Sequence, residues 1–216
     1  MSCDPRQWFE RVVASARLRP YRDAAQADGT HTEILYLWNL DVSSAFYTPL
    51  SFLEVSLRNA LHDQLRLRYS SPDWWDTAPL GALEKSKVRQ ASDDLRQRKP
   101  ARRYCADGIV AGLSFGFWVS LLTRRYHQPL WIPALHKAFP SYHGDREALR
   151  DNLQAMVKLR NRIMHHEPVH HRHLEADHAK IYRLIGYIEP RTVTWLRDHD
   201  EVPNVLAKRP GRDGRG

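Results

Sequence analysis

Cysteine is scarce in this sequence, in which Cys3 and Cys105 are the only two. Two cysteines this far apart form no disulfide framework and lack the paired spacing of a structural zinc site. We therefore expect a protein of the reducing cytoplasm. The N-terminus, MSCDPRQWFERVV, carries charges where a signal peptide needs an apolar core, which argues against export.

Glycine is sparse as well, with 10 among 216 residues, and long apolar runs are missing. The most apolar stretch, Gly108 to Thr123, is shorter than the ~20 residues that a membrane-spanning helix needs, so we predict no membrane association. Alternating apolar and polar residues bounded by hairpin turns are also lacking, which argues against a sheet protein. The 42% of hydrophobic residues nevertheless suffices for a buried core.

Helical spacing of apolar residues recurs along nearly the whole chain and predicts an all-α fold. The clearest helix begins with Thr48 as its cap and Pro49 as its first residue, and runs to about Tyr69. Its apolar stripe comprises Leu50, Leu53, Leu57, Leu61 and Leu65. Further helices are predicted at about 5–18, 31–46, 80–98, 107–126, 145–165 and 173–188. We expect one domain over 1–202 and a flexible basic tail over 203–216.

Three glycines, Gly108, Gly112 and Gly116, recur every four residues in the predicted helix at 107–126. Glycine weakens a helix interior by ~1 kcal/mol relative to alanine, so three on one face indicate that another helix packs closely there. The packing is predicted to be internal, with a dimer contact as the alternative.

Basic side chains outnumber acidic ones by 33 to 25, and over half of the excess lies between Glu84 and Arg103. This stretch has eight basic and three acidic residues. It is either a solvated helix face or a track for an RNA or DNA backbone, and the lack of regularly spaced aromatic residues slightly favours the former. The candidate RNA-binding residues are Lys85, Lys87, Arg89, Arg96, Arg98, Lys99, Arg102 and Arg103.

The letters HEPVH, from His166 to His170, match the zinc-protease pattern H-E-x-x-H. That chemistry needs both histidines on one continuous helical face, but Pro168 lies between them and disfavours an unbroken helix by ~3 kcal/mol or more. We therefore predict no metal site and no cofactor. The histidines at 170, 171 and 173 are expected to be exposed polar surface.

The same region contains R-N-x-x-x-H, formed by Arg160, Asn161 and His165. Arg160 falls on the apolar stripe of its helix, so its guanidinium needs a carboxylate, a subunit interface or a bound phosphate as partner. Asn161 lies one turn before His165 and is placed to orient the imidazole. An internal ion pair of Arg160 beside an ordinary surface histidine remains the alternative. The stripe consists of Leu149, Leu153, Met156 and Ile163.

A second pair, Arg58 and His62, is spaced i,i+4 with Asn59 after the arginine. Glu54 precedes Arg58 by four residues, so a salt bridge within the helix explains this arginine. Support of the main site or RNA contact is the other interpretation.

The sequence resembles the Abi-like family of AbiD/AbiF-type abortive-infection proteins, which belongs to the HEPN superfamily. Three blocks carry the likeness, and the last contains the R-x(4–6)-H motif of the superfamily with a polar residue after the arginine. The resemblance covers about residues 30 to 190. The blocks are LEVSLRNALHDQL at Leu53 to Leu65, LSFGFWVSLL at Leu113 to Leu122 and LRNRIMHHEPV at Leu159 to Val169.

The resemblance implies a HEPN-type helical bundle with flanking helices, commonly a homodimer, with one composite ribonuclease site. Arg160, Asn161 and His165 match the catalytic motif, and His166 would replace His165 at the longer spacing. Glu167, Arg58, Asn59 and His62 are possible supporting residues. The implied function is metal-independent RNA cleavage in phage defence or toxin-like growth arrest, with an antitoxin protein or RNA as a possible partner. A noncatalytic RNA-binding or partner-binding module is the alternative, and a metal-dependent hydrolase is a less favoured third interpretation.

Overall fold

The computed structural model describes residues 5–98 and 105–211, and every regular element in these ranges is helical. The predicted all-α class is confirmed. Among these residues no helix is both long and apolar enough to cross a bilayer. The α-helices are α1 (Pro5–Val13), α2 (Ser15–Asp28), α3 (Thr32–Tyr69), α4 (Ala82–Arg98), α5 (Ala106–Gly112), α6 (Phe115–Ser120), α7 (Arg146–Met164), α8 (Leu174–Ile188), α9 (Pro190–Arg197) and α10 (Val202–Leu206). Short 3₁₀ and π turns lie at Trp74–Asp76, Arg124–Tyr126, His127–Trp131 and Leu135–Ala138.

The central element is α3, against which α2, α6, α7, α8 and α10 all pack. Its predicted stripe from Leu50 to Leu65 is buried, as expected. The prediction that a helix begins at Pro49 is wrong, because α3 runs through this proline without interruption. Proline in a helix interior costs ~3 kcal/mol, and the burial of Phe46, Leu50 and Leu53 around it offsets that cost.

Two helices predicted as single are each divided in two. Ala14, with a φ of 68°, separates α1 from α2 inside the predicted helix 5–18. The predicted helix 107–126 breaks at Leu113, which is extended. Ser114 then starts α6, since its Oγ accepts a hydrogen bond from the Phe117 amide at 3.2 Å.

The three glycines pack internally, as predicted, but they do not share one helix. A Cβ added at Gly108 would lie 2.7 Å from Leu95 of α4, and one at Gly112 would lie 3.4 Å from the Cβ of Ala91. Gly116 belongs to α6 and faces Val157 of α7. The glycines of α5 therefore allow a close approach of α4, whereas the third serves a different contact.

The first residue of the basic stretch, Glu84, is a buried carboxylate. Glu84 accepts hydrogen bonds from Tyr126 at 2.7 Å and from Ser120 at 3.3 Å. Burial raises the pKa of Glu84, but these hydrogen bonds outweigh it and leave the pKa lower than usual. The network fixes the start of α4 beside α6 and the turn at Arg124–Tyr126, so Glu84 is structural, whereas Lys85 in the same turn is exposed.

The chain beyond 202 was predicted to be a flexible tail, but the structure gives residues up to 211 definite contacts. Arg209 donates to the His170 carbonyl at 2.8 Å and to the Asp28 carboxylate at 3.0 Å. Its guanidinium also lies over the ring of Trp38, 5.1 Å from the centroid. One charged side chain thereby connects the C-terminal segment to α2, α3 and the loop after α7; residues 212–216 lie outside the described residues.

Candidate functional site at the end of α7

Helix α7 carries the R-N-x-x-x-H motif on its last two turns. It begins at Arg146, because the Asp145 carboxylate accepts from the amides of Glu147 and Ala148 at 2.7 and 3.0 Å. Its predicted apolar stripe is buried, which fixes the rotation of the helix. The stripe packs against α3, α6 and α8. Arg160 and Asn161 are therefore held on a rigid element.

The helix ends at Met164 through two capping hydrogen bonds. The His166 amide donates to the Ile163 carbonyl at 3.0 Å, and the Glu167 amide donates to the Arg162 carbonyl at 2.8 Å. This is the Schellman arrangement, in which the residue after the cap is left-handed and is usually glycine. Here the residue is His166, with a φ of 56°. A histidine thus occupies a conformation that favours glycine, beside the candidate catalytic residues.

Arg160 has the carboxylate partner that its position on the stripe demanded. Its Nε donates to Oε2 of Glu54 in α3 at 3.3 Å. The pair is not sealed in the core, since 37% of the arginine side chain and 20% of the glutamate side chain are exposed. The guanidinium can therefore reach an external anion without unfolding of the helix.

Asn161 and His165 are both exposed, and the hydrogen bond that joins them is a backbone one, from the His165 amide to the Asn161 carbonyl at 2.9 Å. Five residues correspond to roughly 140° around a helix, so His165 and Arg160 face different directions from α7. Arg160 points to α3, while the imidazole points outward.

Two further arginines surround the end of α7. Arg17 of α2 donates to the His166 carbonyl at 2.9 Å. Arg162 donates to the Pro168 carbonyl at 3.3 Å, and its Nε lies 3.9 Å from the Glu167 carboxylate. Cations stabilise the negative end of a helix dipole, and here they also make the rim of the candidate site basic.

The segment from His165 to His173 is a loop, so the expectation that Pro168 prevents one helical face for His166 and His170 is confirmed. The loop is held by Asn39 of α3. The buried Asn39 Oδ1 accepts from the amides of Val169 and His170, at 2.8 and 3.2 Å. Asn39 was not predicted as a site residue, although an asparagine among the apolar positions of α3 was a detectable signal in the sequence.

His170 corrects the expectation that the histidines after Pro168 are surface residues. Its side chain is buried against Tyr21, with ring centroids 4.9 Å apart, whereas His171 and His173 are exposed. Burial lowers the pKa of His170 to about 4, and the positive charge of Arg209 acts in the same direction. The Nε2 atom has no hydrogen-bond partner among the described residues. His170 therefore packs as a neutral aromatic group.

The second motif in α3 has a structural histidine. Nδ1 of the buried His62 accepts from the indole of Trp74 at 3.1 Å, and burial lowers the pKa of this imidazole. The predicted salt bridge of Arg58 with Glu54 is not formed as expected, because Glu54 pairs with Arg160 and Arg58 Nε donates to Asn59 at 3.3 Å. Arg58 is the near neighbour of Glu54 in the sequence, but in the fold Glu54 pairs with Arg160, which is 106 positions away.

The basic stretch belongs to another part of the molecule. Its described members lie on α4, which packs against α5, whereas Arg160 lies where α7 meets α3. Arg96 is exposed and lies 3.7 Å from Asp93. Arg98 ends α4, and Lys99, Arg102 and Arg103 lie outside the described residues. Lys85 and Arg89 are exposed.

An exposed apolar face on α3 borders the candidate site. It is formed by Leu37, Leu40, Tyr47 and Val55, of which Leu37 and Tyr47 are 56% and 58% exposed. At ~100° per residue these four project from one side of α3, next to the side that carries Glu54. Tyr47 lies along α3 between Glu54, which meets α7, and Asn39, which holds the loop. We call this surface the α3 face.

Comparison with protein-family models, curated proteins and solved structures found no match. Within residues 5–98 and 105–211, no group of three or more histidine, cysteine, aspartate or glutamate side chains is arranged to hold a metal ion.

Proposed function

We propose that this chain is a metal-independent endoribonuclease of HEPN type that acts in phage defence or growth arrest. The observation that carries the proposal is the accessible Arg160 with an exposed Asn161 on the last turns of a helix fixed by the core, followed by an exposed His165 at the helix cap. The basic rim formed by Arg17 and Arg162 supports a phosphate-bearing ligand.

In the proposed reaction the 2′-oxygen of a ribose forms a bond to the adjacent phosphorus, and the bond from phosphorus to the 5′-oxygen breaks. The 2′-hydroxyl proton passes to a base, and the leaving 5′-oxygen takes a proton from an acid. His165 suits both proton transfers because an imidazole has one nitrogen that can accept a proton and another that can donate one. Arg160 would hold the nonbridging oxygens, where negative charge grows, and Asn161 would orient the imidazole or the phosphate. The products are a 2′,3′-cyclic phosphate and a 5′-hydroxyl.

A homodimer is part of the proposal. One imidazole cannot readily be acid and base in the same step. In a dimer, one copy of the motif would supply the base and the other copy would supply the acid. The α3 face supports this arrangement: it is apolar, exposed and adjacent to the ion pair of Arg160 and Glu54. A second copy seated on this face would bring its own His165 toward the Arg160 of the first.

A noncatalytic RNA-binding module is the second candidate, and one observation favours it. Arg160 is already neutralised by Glu54, as expected for an arginine that stabilises the bundle rather than a transition state. Under this alternative RNA would still bind, without cleavage. Any antitoxin protein or RNA would then act on binding instead of catalysis.

Cleavage of a mixed RNA pool in excess chelator tests the proposal. Wild type should leave 2′,3′-cyclic phosphate ends, and Arg160→Ala and His165→Ala should each lower the rate by at least ~100-fold while remaining folded. Matched controls are Arg191→Ala, whose side chain is 94% exposed, and His173→Ala at an exposed loop position. Controls that lose as much activity as the site variants, or site variants that cleave normally, would contradict the assignment.

A further inference from the structure

A second functional surface is indicated by a cleft between α8, α9 and the turn before α10, with a volume of about 720 Å³. This is within the range of small-molecule sites. Arg183 of α8 and Arg197 of α9 both line it, and both are exposed. Neither has a carboxylate partner in the part of the chain that the structure describes. Two arginine side chains thus line one opening, and neither forms an ion pair with a carboxylate among the described residues.

The Asp200 carboxylate also lines the cleft, but its contacts are with other groups of the protein. Oδ2 of Asp200 accepts from Tyr182 at 2.7 Å and lies 2.5 Å from Nε2 of His178, while Oδ1 accepts from the Val202 amide at 3.0 Å. The Asp200 side chain is only 6% exposed. The Asp200 carboxylate is therefore held by neighbouring groups, and none of its hydrogen bonds or ion pairs among the described residues involves Arg183 or Arg197.

The remaining wall of the cleft is apolar. Pro190 and Val193 of α9, Ala179 of α8 and Pro203 of α10 line it together with Gly186. An inorganic anion would leave this wall without a partner. A ligand with a charged end and an apolar or planar body would use both parts, and arginine pairs suit phosphate oxygens through bidentate hydrogen bonds.

We propose that this cleft binds a phosphorylated small molecule of mononucleotide size, with its phosphate between Arg183 and Arg197 and its body against the wall of Pro190 and Val193. The inference is independent of the proposed ribonuclease, because it involves no residue from the end of α7. It gives the protein a binding site for a free nucleotide, separate from the candidate site for RNA.

Isothermal titration calorimetry of the full chain with AMP, GMP, CMP and UMP tests the proposal. Inorganic phosphate and adenosine measure the contributions of the charged end and the body separately. We expect saturable binding of at least one nucleotide, weaker binding of phosphate and of adenosine, and a loss of affinity of at least ~10-fold in Arg183→Gln and in Arg197→Gln.

The matched control is Arg191→Gln, which removes the same charge from α9 at a side chain that is 94% exposed and lies 3.4 Å from Glu189. It should bind the nucleotide as wild type does. Failure of all four nucleotides to bind would overturn the proposal, as would binding that neither Arg183→Gln nor Arg197→Gln weakens. An equal loss in Arg191→Gln would show general charge attraction and would also overturn it.

Discussion

The guanidinium of Arg160 can pair with either of two anions, the Glu54 carboxylate or an external phosphate. Because the pair is partly exposed, the favourable energy of the contact is on the order of 1 kcal/mol or less. A phosphate with two oxygens facing the guanidinium can compete with an ion pair of this strength. Glu54 therefore sets how readily Arg160 is available for RNA.

Glu54→Gln should strengthen RNA binding, since the substitution frees Arg160 and removes a negative charge beside it. We expect an increase in affinity of up to about fivefold in fluorescence anisotropy with labelled RNA in chelator. In an Arg160→Ala background the gain should vanish. Glu175→Gln, at an exposed carboxylate of α8, is the control for general charge effects. An equal gain in that control would mean that Glu54 has no specific influence on Arg160.

Asn39→Ala should destabilise the fold, because two buried amides, those of Val169 and His170, lose their acceptor. Each orphaned amide costs ~1–3 kcal/mol, so urea denaturation should show a clear decrease in the free energy of unfolding. Asn152→Ala is the control: this half-buried residue donates to the Ala148 carbonyl of its own helix at 2.9 Å, and its loss should cost little. Equal effects of the two substitutions would argue against the structural role of Asn39.

At the level of elements, the C-terminal cap of α7 combines strain with a candidate functional residue. His166→Gly should raise the free energy of unfolding by about 1 kcal/mol, because glycine adopts the left-handed conformation without strain. Ser70→Gly, at the left-handed cap of α3, should give a similar gain in thermal unfolding.

The two caps differ in what else they affect. If the His166 side chain supports RNA cleavage, only His166→Gly should lower the cleavage rate. A stabilised His166→Gly variant with unchanged activity would show that the His166 side chain has no role in cleavage and only occupies a position that favours glycine.

The loop after α7 should make stability depend on pH. His170 has a pKa of about 4 in the folded chain and about 6.5 when unfolded, so the unfolded state takes up the proton first as the pH falls. Its contribution is complete above pH ~6.5 and declines toward pH ~4, with a loss of about 2 kcal/mol between pH 7 and pH 5. His62, whose pKa burial also lowers, acts in the same direction.

Urea denaturation at pH 7 and pH 5 tests this dependence. His170→Phe should remain folded, since its Nε2 makes no hydrogen bond among the described residues, and should lose about 2 kcal/mol less than wild type on acidification. His173→Phe, at an exposed position of the same loop, should retain the full loss. An unchanged pH dependence in His170→Phe would exclude this origin.

For the whole molecule, the α3 face predicts self-association. Leu37→Glu and Tyr47→Glu should yield monomers in sedimentation experiments, because a charge on each apolar contact opposes burial between copies. Leu67→Glu, at another exposed leucine of α3, should leave the assembly unchanged. The monomeric variants should also lose RNA cleavage while remaining folded. A folded monomer that cleaves RNA at the wild-type rate would contradict the composite site.

Local sequence patterns anticipated the helical class, the buried stripes of α3 and α7 and the end of helix before Pro168, because these depend on near neighbours in the chain. They did not anticipate the choice of Glu54 between Arg58, four residues away, and Arg160. That choice depends on how α3 meets α7, as the burial of His170 depends on Asn39 and Arg209. Pro49 failed as a helix start for the same reason: tertiary packing outweighed a local preference.

The hydrogen bond from Arg209 to the His170 carbonyl can form only after both residues have been synthesised. The two residues are 39 positions apart, so a ribosome needs ~2 to 8 s to make the second after the first. During that interval the loop after α7 has been synthesised, but the hydrogen bond from Arg209 to the His170 carbonyl cannot yet form. In the proposed ribonuclease, this support of the loop beside the candidate site therefore forms only after Arg209 has been synthesised.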